Sequence, residues 1–465
     1  MIADLKPYAE YKDSGLPWLG QVPERWSVQR TKWQFRHRKE LNVDSNHTNV
    51  LSLTLRGVVN NNPDDPEGLV PKDYRTYQFF AKGDLVFKLI DLENLRTSRV
   101  GLVHEDGIMS SAYVRLVPTS STNMRYFFHQ FYDLYARGIY NQLGAGVRST
   151  LNSSDLLNVG IAIPPPGEQA AIVRFLDWAN GRLERAIRAK RKVIGLLDEQ
   201  KKSIIHRAVT LGLDPSAPLK PSGVVGVRGI PKHWEERRLR TLTTEAITNG
   251  VGESAQVFRE DWPRYVRITD IGNTFALRDS TRASLPPSLA KGAVLRAGDL
   301  LIAAVGATFG KAYVHTQNEE ACFAGYLVRV RLGKMLNPLF AGYWTESQHY
   351  WTQLRANVIQ STIQNFSAAR VKRLLAVVPP IAEQASIVAF VSEETSDLNI
   401  LISRLEREIQ LLREYRTRLV ADVVTGKLDV REAAARLPEE VPLDTVEDDA
   451  DLGEDLDIAD EEATA

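Results

Sequence analysis

A chain of 465 residues, 43% hydrophobic and 25% charged, is long enough for several domains with real cores. No apolar run reaches membrane-spanning length, and the opening MIADLKPYAEYKDSG has no signal-peptide core, so a soluble cytoplasmic protein is expected. The single cysteine, Cys322, excludes an internal disulfide framework and argues against a cysteine-built zinc site. The formal net charge of zero hides an asymmetry. From Glu439 to Ala465 there are 13 Asp and Glu and no Lys or Arg, leaving 58 basic against 45 acidic residues elsewhere, a net of +13. The basic body suits an anionic partner. The acidic tail is too charged to fold alone and is expected to be disordered.

In chain order, a first globular segment is expected from about Tyr11 to Ile163. Trp18 and Trp26 anchor its turn-rich entry, SGLPWLGQVPERWSVQR, and strand-like patches follow from Val50 to Leu55, Asp84 to Leu89 and Ala112 to Val117. A helix from Asn123 to Tyr140 carries Phe127, Phe128, Phe131 and Tyr135 at helical spacing, which reads as core. Basic, polar loops lie between the elements at Arg56-Gly57, from Lys88 to Arg99, and from Gly144 to Thr150.

A long uninterrupted helix then runs from Glu168 to Val209. Prolines precede it and Gly212 follows it, the punctuation of a helix start and stop. A second globular segment, from about Ser222 to Val378, repeats the plan of the first. Pro231 and Trp234 echo Pro23 and Trp26, and Gly298-Asp-Leu300 echoes Gly83-Asp-Leu85. A helix from Asn337 to Arg355 again carries aromatics. A second long helix, from Glu383 to Val424, superposes on the first with a shift of 215 residues and no gap. Pro164 falls on Pro379, Glu168 on Glu383, Gln169 on Gln384 and Ile172 on Ile387.

Val391, Leu398, Leu405, Leu412 and Leu419 recur every seven residues on the second helix, with Ile387, Ile402, Ile409 and Val423 on the same side. Leu176, Leu183, Leu197 and Ile204 repeat the pattern on the first, broken once by Lys190. Such a repeat describes a coiled-coil seam, and each helix is expected to be roughly 60 Å long. Neither can bury its stripe alone, so antiparallel pairing of the two is expected.

The paired Pro-Pro-x-x-Glu-Gln helix openings, the W-L-G and Pro-x-x-Trp entries and the Gly-Asp-Leu strands, in this order, resemble the specificity subunit of type I restriction–modification systems. The resemblance covers Tyr11 to Leu428. It implies an α+β chain: two tandem-duplicated globular target recognition domains separated by two long antiparallel coiled-coil helices. The corresponding boundaries are 1–166, recognition domain 1; 167–212, spacer helix 1; 213–380, recognition domain 2; 381–430, spacer helix 2; and 431–465, the acidic tail, which lies outside the resemblance. The implied function is to read a bipartite, asymmetric site in double-stranded DNA and to dock two copies of a methyltransferase subunit. Restriction (motor and nuclease) subunits would join through the complex.

The motifs that are missing agree with a non-catalytic subunit. Asn62-Pro-Asp-Asp65 lacks the second proline and the aromatic of an amino-methyltransferase motif. The string from Gly306 to Ala312 is one residue short of a phosphate-binding loop and ends without the hydroxyl that would hold magnesium. No cofactor or metal is expected on this chain; S-adenosylmethionine is expected on the partner methyltransferase.

Base edges are read by Arg and Lys at guanine, by Asn and Gln at adenine, and by Ser or Thr. The candidates on polar loops are Arg56, Lys88, Arg96, Arg99 and Arg148 in the first half, and Arg267, Thr269, Thr308, Lys311, Gln360 and Ser361 in the second. For partner docking, Phe175, Trp178, Arg185, Arg188 and Arg191 on the first helix, and Phe390 and Tyr415 on the second, exceed what the mutual seam requires. The alternative is a coiled-coil scaffold that never touches DNA, which explains the helices but not the paired basic loops.

Overall fold

The computed structural model describes residues 5–62, 71–92, 97–120, 122–144, 150–224, 229–255, 257–272, 275–306, 308–357 and 367–438. The described residues fall into two compact units. Unit 1 takes those of Met1–Ala189 and Arg407–Glu447, and unit 2 those of Lys190–Glu406. Two long helices contribute to both: α1, Pro166–Leu211, and α2, Ile381–Val424, of 46 and 44 residues. At 1.5 Å per residue each is about 65–70 Å long. Both end just before a glycine in the left-handed region, Gly212 at φ 77° and Gly426 at φ 76°. No helix among the described residues is long and apolar enough to cross a membrane.

In unit 1 the strands that carry the candidate loops are β1 (Phe35–His37), β2 (Leu51–Thr54), β3 (Gly57–Asn60), β4 (Leu85–Phe87), β5 (Val100–Leu102) and β6 (Val114–Pro118). Four of them form an antiparallel sheet in the order β1-β6-β4-β5, while β2 and β3 make a separate hairpin. The helix Met124–Ala136 lays Phe127 and Phe131 into the core, edge-on to Phe35 at 5.1 and 6.0 Å. The single helix expected there is interrupted, because Gly138 sits at φ 67° and a second short helix, Ile139–Leu143, restarts behind it.

Unit 2 has β7 (Thr248–Asn249), β8 (Asp299–Ala303), β9 (Ala312–Val314) and β10 (Leu327–Arg331). Their order, β7-β10-β8-β9, reproduces that of unit 1 strand for strand. A second pairing recurs as well: Ser27–Arg30 with Gly160–Ile163 in unit 1, and Glu235–Arg238 with Leu375–Val378 in unit 2. Here too the expected helix divides in two, into Pro338–Thr345 and Gln348–Asn357.

Each unit clasps one end of each long helix. In unit 1, Ile172, Phe175, Leu176 and Ala179 of α1 share a core with Leu419, Val423 and Val424 of α2, and Glu184 pairs with Arg416 one step along. The helices therefore run antiparallel within that unit. In unit 2, Ile205, Ala208 and Val209 of α1 share a core with Ile387 and Val391 of α2. Along α2 the deepest positions are Val391, Thr395, Ile402, Ile409 and Leu419, whereas Leu398, Leu405 and Leu412 are half-buried. The row expected to form the seam is thus one of two, and β-branched Thr395, Ile402 and Ile409 fill the deeper one.

The Glu-Gln pair that opens each helix is a structural joint. In unit 1 the Trp26 indole N–H donates to Glu168 Oε1 at 3.0 Å, Tyr8 donates to the same oxygen, and Arg25 approaches Oε2 at 2.8 Å. In unit 2 the Trp234 indole N–H donates to Glu383 Oε1 at the same 3.0 Å, and His233 approaches Oε2 at 2.9 Å. Both carboxylates lie in the first helical turn, where the macrodipole favours negative charge. The adjacent glutamines donate back to Pro164 O at 2.9 Å and Pro379 O at 2.8 Å. Each tryptophan also meets the end of the other long helix: a Cβ on Gly426 would lie 3.2 Å from Trp26, and one on Gly212 would lie 3.1 Å from Trp234. The turn after each long helix is therefore restricted to glycine by its φ and by the ring beside it.

Candidate nucleic-acid interface

The β4–β5 connection of unit 1 and the β8–β9 connection of unit 2 occupy equivalent places in equivalent sheets, and four candidates fall on described residues of these two hairpins. Lys88 leaves β4, is half-buried, and donates to Thr97 Oγ1 at 3.0 Å. Burial first, and then repulsion from Arg99, lowers the Lys88 amine, with Asp91 opposing. Two cations held together in one loop favour an anion. In unit 2, Lys311 donates to Ile271 O at 3.3 Å and Thr308 is half-buried on the same loop.

The unit 2 hairpin is pinned onto the helix behind it. Tyr350 Oη donates to Gly310 O at 2.9 Å, and a Cβ on Gly310 would lie 2.5 Å from Leu354. Gly310, at φ 78°, cannot be replaced without strain. A phosphate-binding loop joins a strand to a helix N-terminus, whereas this segment joins two strands.

Other candidates are placed differently. Arg56 is exposed at the tip of the β2–β3 hairpin, and Thr269 is half-buried in a turn of 3-10 helix. Arg99 and Arg267, expected on ligand-facing loops, are engaged internally. Arg99 is fully buried and donates to Asp91 O at 2.6 Å. Arg267 donates to the Asp270 carboxylate, to Ala255 O at 2.9 Å and to Thr281 O, tying three segments together. Their guanidinium groups satisfy backbone carbonyls that turn inward. Arg96, Arg148, Gln360 and Ser361 lie outside the described residues, as do the acidic tail and most of the segments from Gly144 to Thr150 and from Asn62 to Glu67.

Of the docking candidates, Phe175 belongs to the unit 1 core with no exposed surface, because its helical position faces Leu419 and Val423. Trp178 is half-buried, with the Arg182 guanidinium 5.2 Å above its ring, and Arg185 and Arg188 are exposed. Tyr415 is 41% exposed in unit 1; in unit 2, Arg191 is half-buried and Phe390 is 38% exposed.

A basic stretch in unit 1 was not among the candidates. Arg36, His37, Arg38 and Lys39 follow one another along and just beyond edge strand β1, all exposed. Their signal in the sequence is the run itself, which carries no Gly or Pro to mark it as a loop.

Among the described residues no group of three or more His, Cys, Asp and Glu could hold a metal ion.

The profile of the type I restriction modification DNA specificity domain family matches residues 57–190. Over 206 residues the chain is 22% identical to the type I restriction enzyme StySPI specificity subunit of Salmonella potsdam, covering 43% of this chain and 44% of that protein. Over 218 residues it is 24% identical to the type I restriction enzyme EcoBI specificity subunit of Escherichia coli, covering 46% and 43%. The matches thus span less than half the length of these curated relatives. A solved chain described as "Structural basis underlying complex assembly and conformational transition of the type I R-M system" superposes with a TM-score of 0.56 at 16% identity, covering 88% of this chain and 99% of that one. At that identity the shared property is the fold, with mixed helix and strand content. Residues 57–190 thus match a type I restriction modification DNA specificity domain, and the chain is similar in sequence to type I restriction enzyme specificity subunits.

Proposed function

We propose that this chain reads a bipartite, asymmetric site in double-stranded DNA through its two units and brings two methyltransferase subunits to that site. It is proposed to be non-catalytic alone, with S-adenosylmethionine chemistry residing on the partner and restriction subunits joining through the complex. The observation that carries the reading is one sheet topology in both units with unlike residues on its β-hairpins. A repeated scaffold with different loops suits two non-identical reading heads. Arg56, Lys88, Thr308 and Lys311, together with Thr269, are the described residues proposed to face DNA. Arg185 and Arg188 with Trp178 and Tyr415, and Arg191 with Phe390, are proposed to face the two partner copies.

The test is methylation sequencing of cells that express this chain with its methyltransferase. Lys88→Ala is expected to relax one half-site and Lys311→Ala the other, each by about 1–3 kcal/mol per lost base contact. Equal damage to both half-sites from one substitution would count against independent heads. Reversing charge at Arg185, Arg188 and Arg191 is expected to weaken co-purification with the methyltransferase while the chain stays folded. Native mass spectrometry at saturating partner should show two methyltransferase copies per chain; one copy would overturn the two-surface arrangement.

A further inference from the structure

Between Arg25 and Lys39 the chain carries six Lys and Arg and no Asp or Glu. Arg30, Lys32, Arg36, Arg38 and Lys39 are all exposed. Trp33, in their midst, is 67% exposed, and Lys32 Nζ lies 5.9 Å from its ring centre. The stretch includes β1, which lies at the end of its sheet and, among the described residues, pairs with β6 alone. Arg38 meets Glu40 at 3.0 Å, an exposed pair of little strength. Among the described residues no ion pair involves Lys32, Arg36 or Lys39.

Unit 2 departs from unit 1 at this place. Phe35 pairs with Pro118 in unit 1, and Thr243 bridges Leu332 in unit 2 ahead of β7, so the segment from Thr244 to Asn249 takes the place of Arg36 to Lys39. It reads Thr, Glu, Ala, Ile, Thr and Asn, and its one charge, Glu245, is committed to Arg296 at 2.9 Å and Arg331 at 2.7 Å.

Resting on the DNA-reading function above, we infer that the Arg30–Lys39 ribbon of unit 1 is a sequence-independent clamp for the phosphate backbone of duplex DNA, and that unit 2, which keeps exposed cations at Arg238 and Arg240 in place of Arg30 and Lys32, lacks the Arg36–Lys39 part and its exposed tryptophan. Closely spaced cations of one sign match a polyanion, and each contact releases condensed counterions. Trp33 supplies apolar contact beside them and carries no charge itself. Charges on an edge strand also guard it against pairing with another sheet. A guard needs neither a single sign over this whole stretch nor a tryptophan in the open.

The experiment is binding of the full chain to a fluorescent duplex of arbitrary sequence across a potassium chloride series. The triple variant Arg36→Gln, Arg38→Gln, Lys39→Gln is expected to flatten the slope of log affinity against log salt by about two to three and to weaken binding roughly tenfold or more at moderate salt. Trp33→Ala is expected to weaken binding with the slope unchanged. Circular dichroism of each variant checks that it is folded. A wild-type slope in the triple variant overturns the clamp while leaving the two reading heads standing. So does a variant that only aggregates, which marks an edge guard. A slope that changes only on deleting residues 439–465 also overturns it, since the ribbon would then face the chain's own acidic segment. Absence of salt-dependent binding by the wild-type chain would instead remove the DNA-reading function, and the clamp with it.

Discussion

Units 1 and 2 agree where they hold the long helices and differ where their sheets carry charge. At the helix joints, Trp26 with Glu168 and Trp234 with Glu383 have the same donor, acceptor and distance. On the sheets, the equivalent Asp84 and Asp299 each pair with a buried arginine, but from positions two residues apart on the neighbouring strand and with different surroundings. In unit 1, Arg115 meets Asp84 at 2.6 Å, with Glu40 at 3.6 Å and the Phe79 carbonyl at 2.8 Å. In unit 2, Arg331 meets Asp299 at 2.7 Å inside a network that adds Glu245, Arg296 and Arg329. The contrast teaches that geometry at the joint is fixed by what both ends of the helices require, while sheet electrostatics are set separately in each unit.

The sharpest way to break the comparison is at the joints. Trp26→Ala and Trp234→Ala each remove a fully buried indole. Each is expected to destabilise its own unit by about 3–5 kcal/mol. Hydrogen exchange resolved by unit should show similar costs; a loss at one joint alone would end the equivalence.

Next come the buried pairs. Arg115→Ala leaves Asp84 buried without its cation, an expected cost of about 3–5 kcal/mol. Arg331→Ala is expected to cost less, since Arg329 and Arg296 remain in the same network. Denaturant unfolding of the two variants orders them, and equal costs would show that the wider network adds nothing.

Acid separates the units more gently. Burial works to raise the Glu236 carboxyl, but hydrogen bonds from His349, Ser222 and the Gly223 amide outweigh it and hold the group at about 2. Because the folded value is depressed, the stabilisation is fully present above the ordinary value of 4.5 and disappears as pH falls from there toward 2. Unit 2 is expected to lose about 2 kcal/mol over that window, a loss that Glu236→Gln should abolish. Val28 takes the corresponding strand position in unit 1, so no matching loss from that site is expected there. Parallel acid titration of the two units is the check.

The long helices were legible because period, prolines and terminal glycines all agreed along more than forty residues. The equivalence of Trp26 with Trp234 was legible too, but not that each indole hydrogen-bonds a helix-opening glutamate, which depends on three-dimensional approach. The aromatic helices broke at Gly138 and after Thr345, where a local turn overrode a continuous apolar pattern. Arg99 and Arg267 were misplaced because a loop arginine looks the same in sequence whether carbonyls turn toward it or away. Phe175 reads as surplus to a single heptad row, and it is core because the buried face of the helix is broader than that row. The Arg36–Lys39 run carries no Gly or Pro to mark it, so in sequence an exposed edge strand reads like any solvated charge run.

The bridge between Lys6 and Asp429 carries a consequence for how the chain could be cut. In unit 2, α1 passes Gly212 and continues by a peptide link into Leu219–Lys220, which pairs with Ile230–Pro231. In unit 1, Gly426 follows α2 and the strand Tyr11–Asp13 pairs with Gln21–Pro23. There the junction is held only by contact: Asp429 N donates to Lys6 O at 2.8 Å and Tyr11 Oη to Gly426 O at 3.1 Å. The same joint is therefore closed by covalent continuity in unit 2 and by hydrogen bonds in unit 1. A linker from Pro438 to Leu5, with the chain reopened between Asp214 and Ala217, should exchange the two kinds of closure while each unit keeps its own packing.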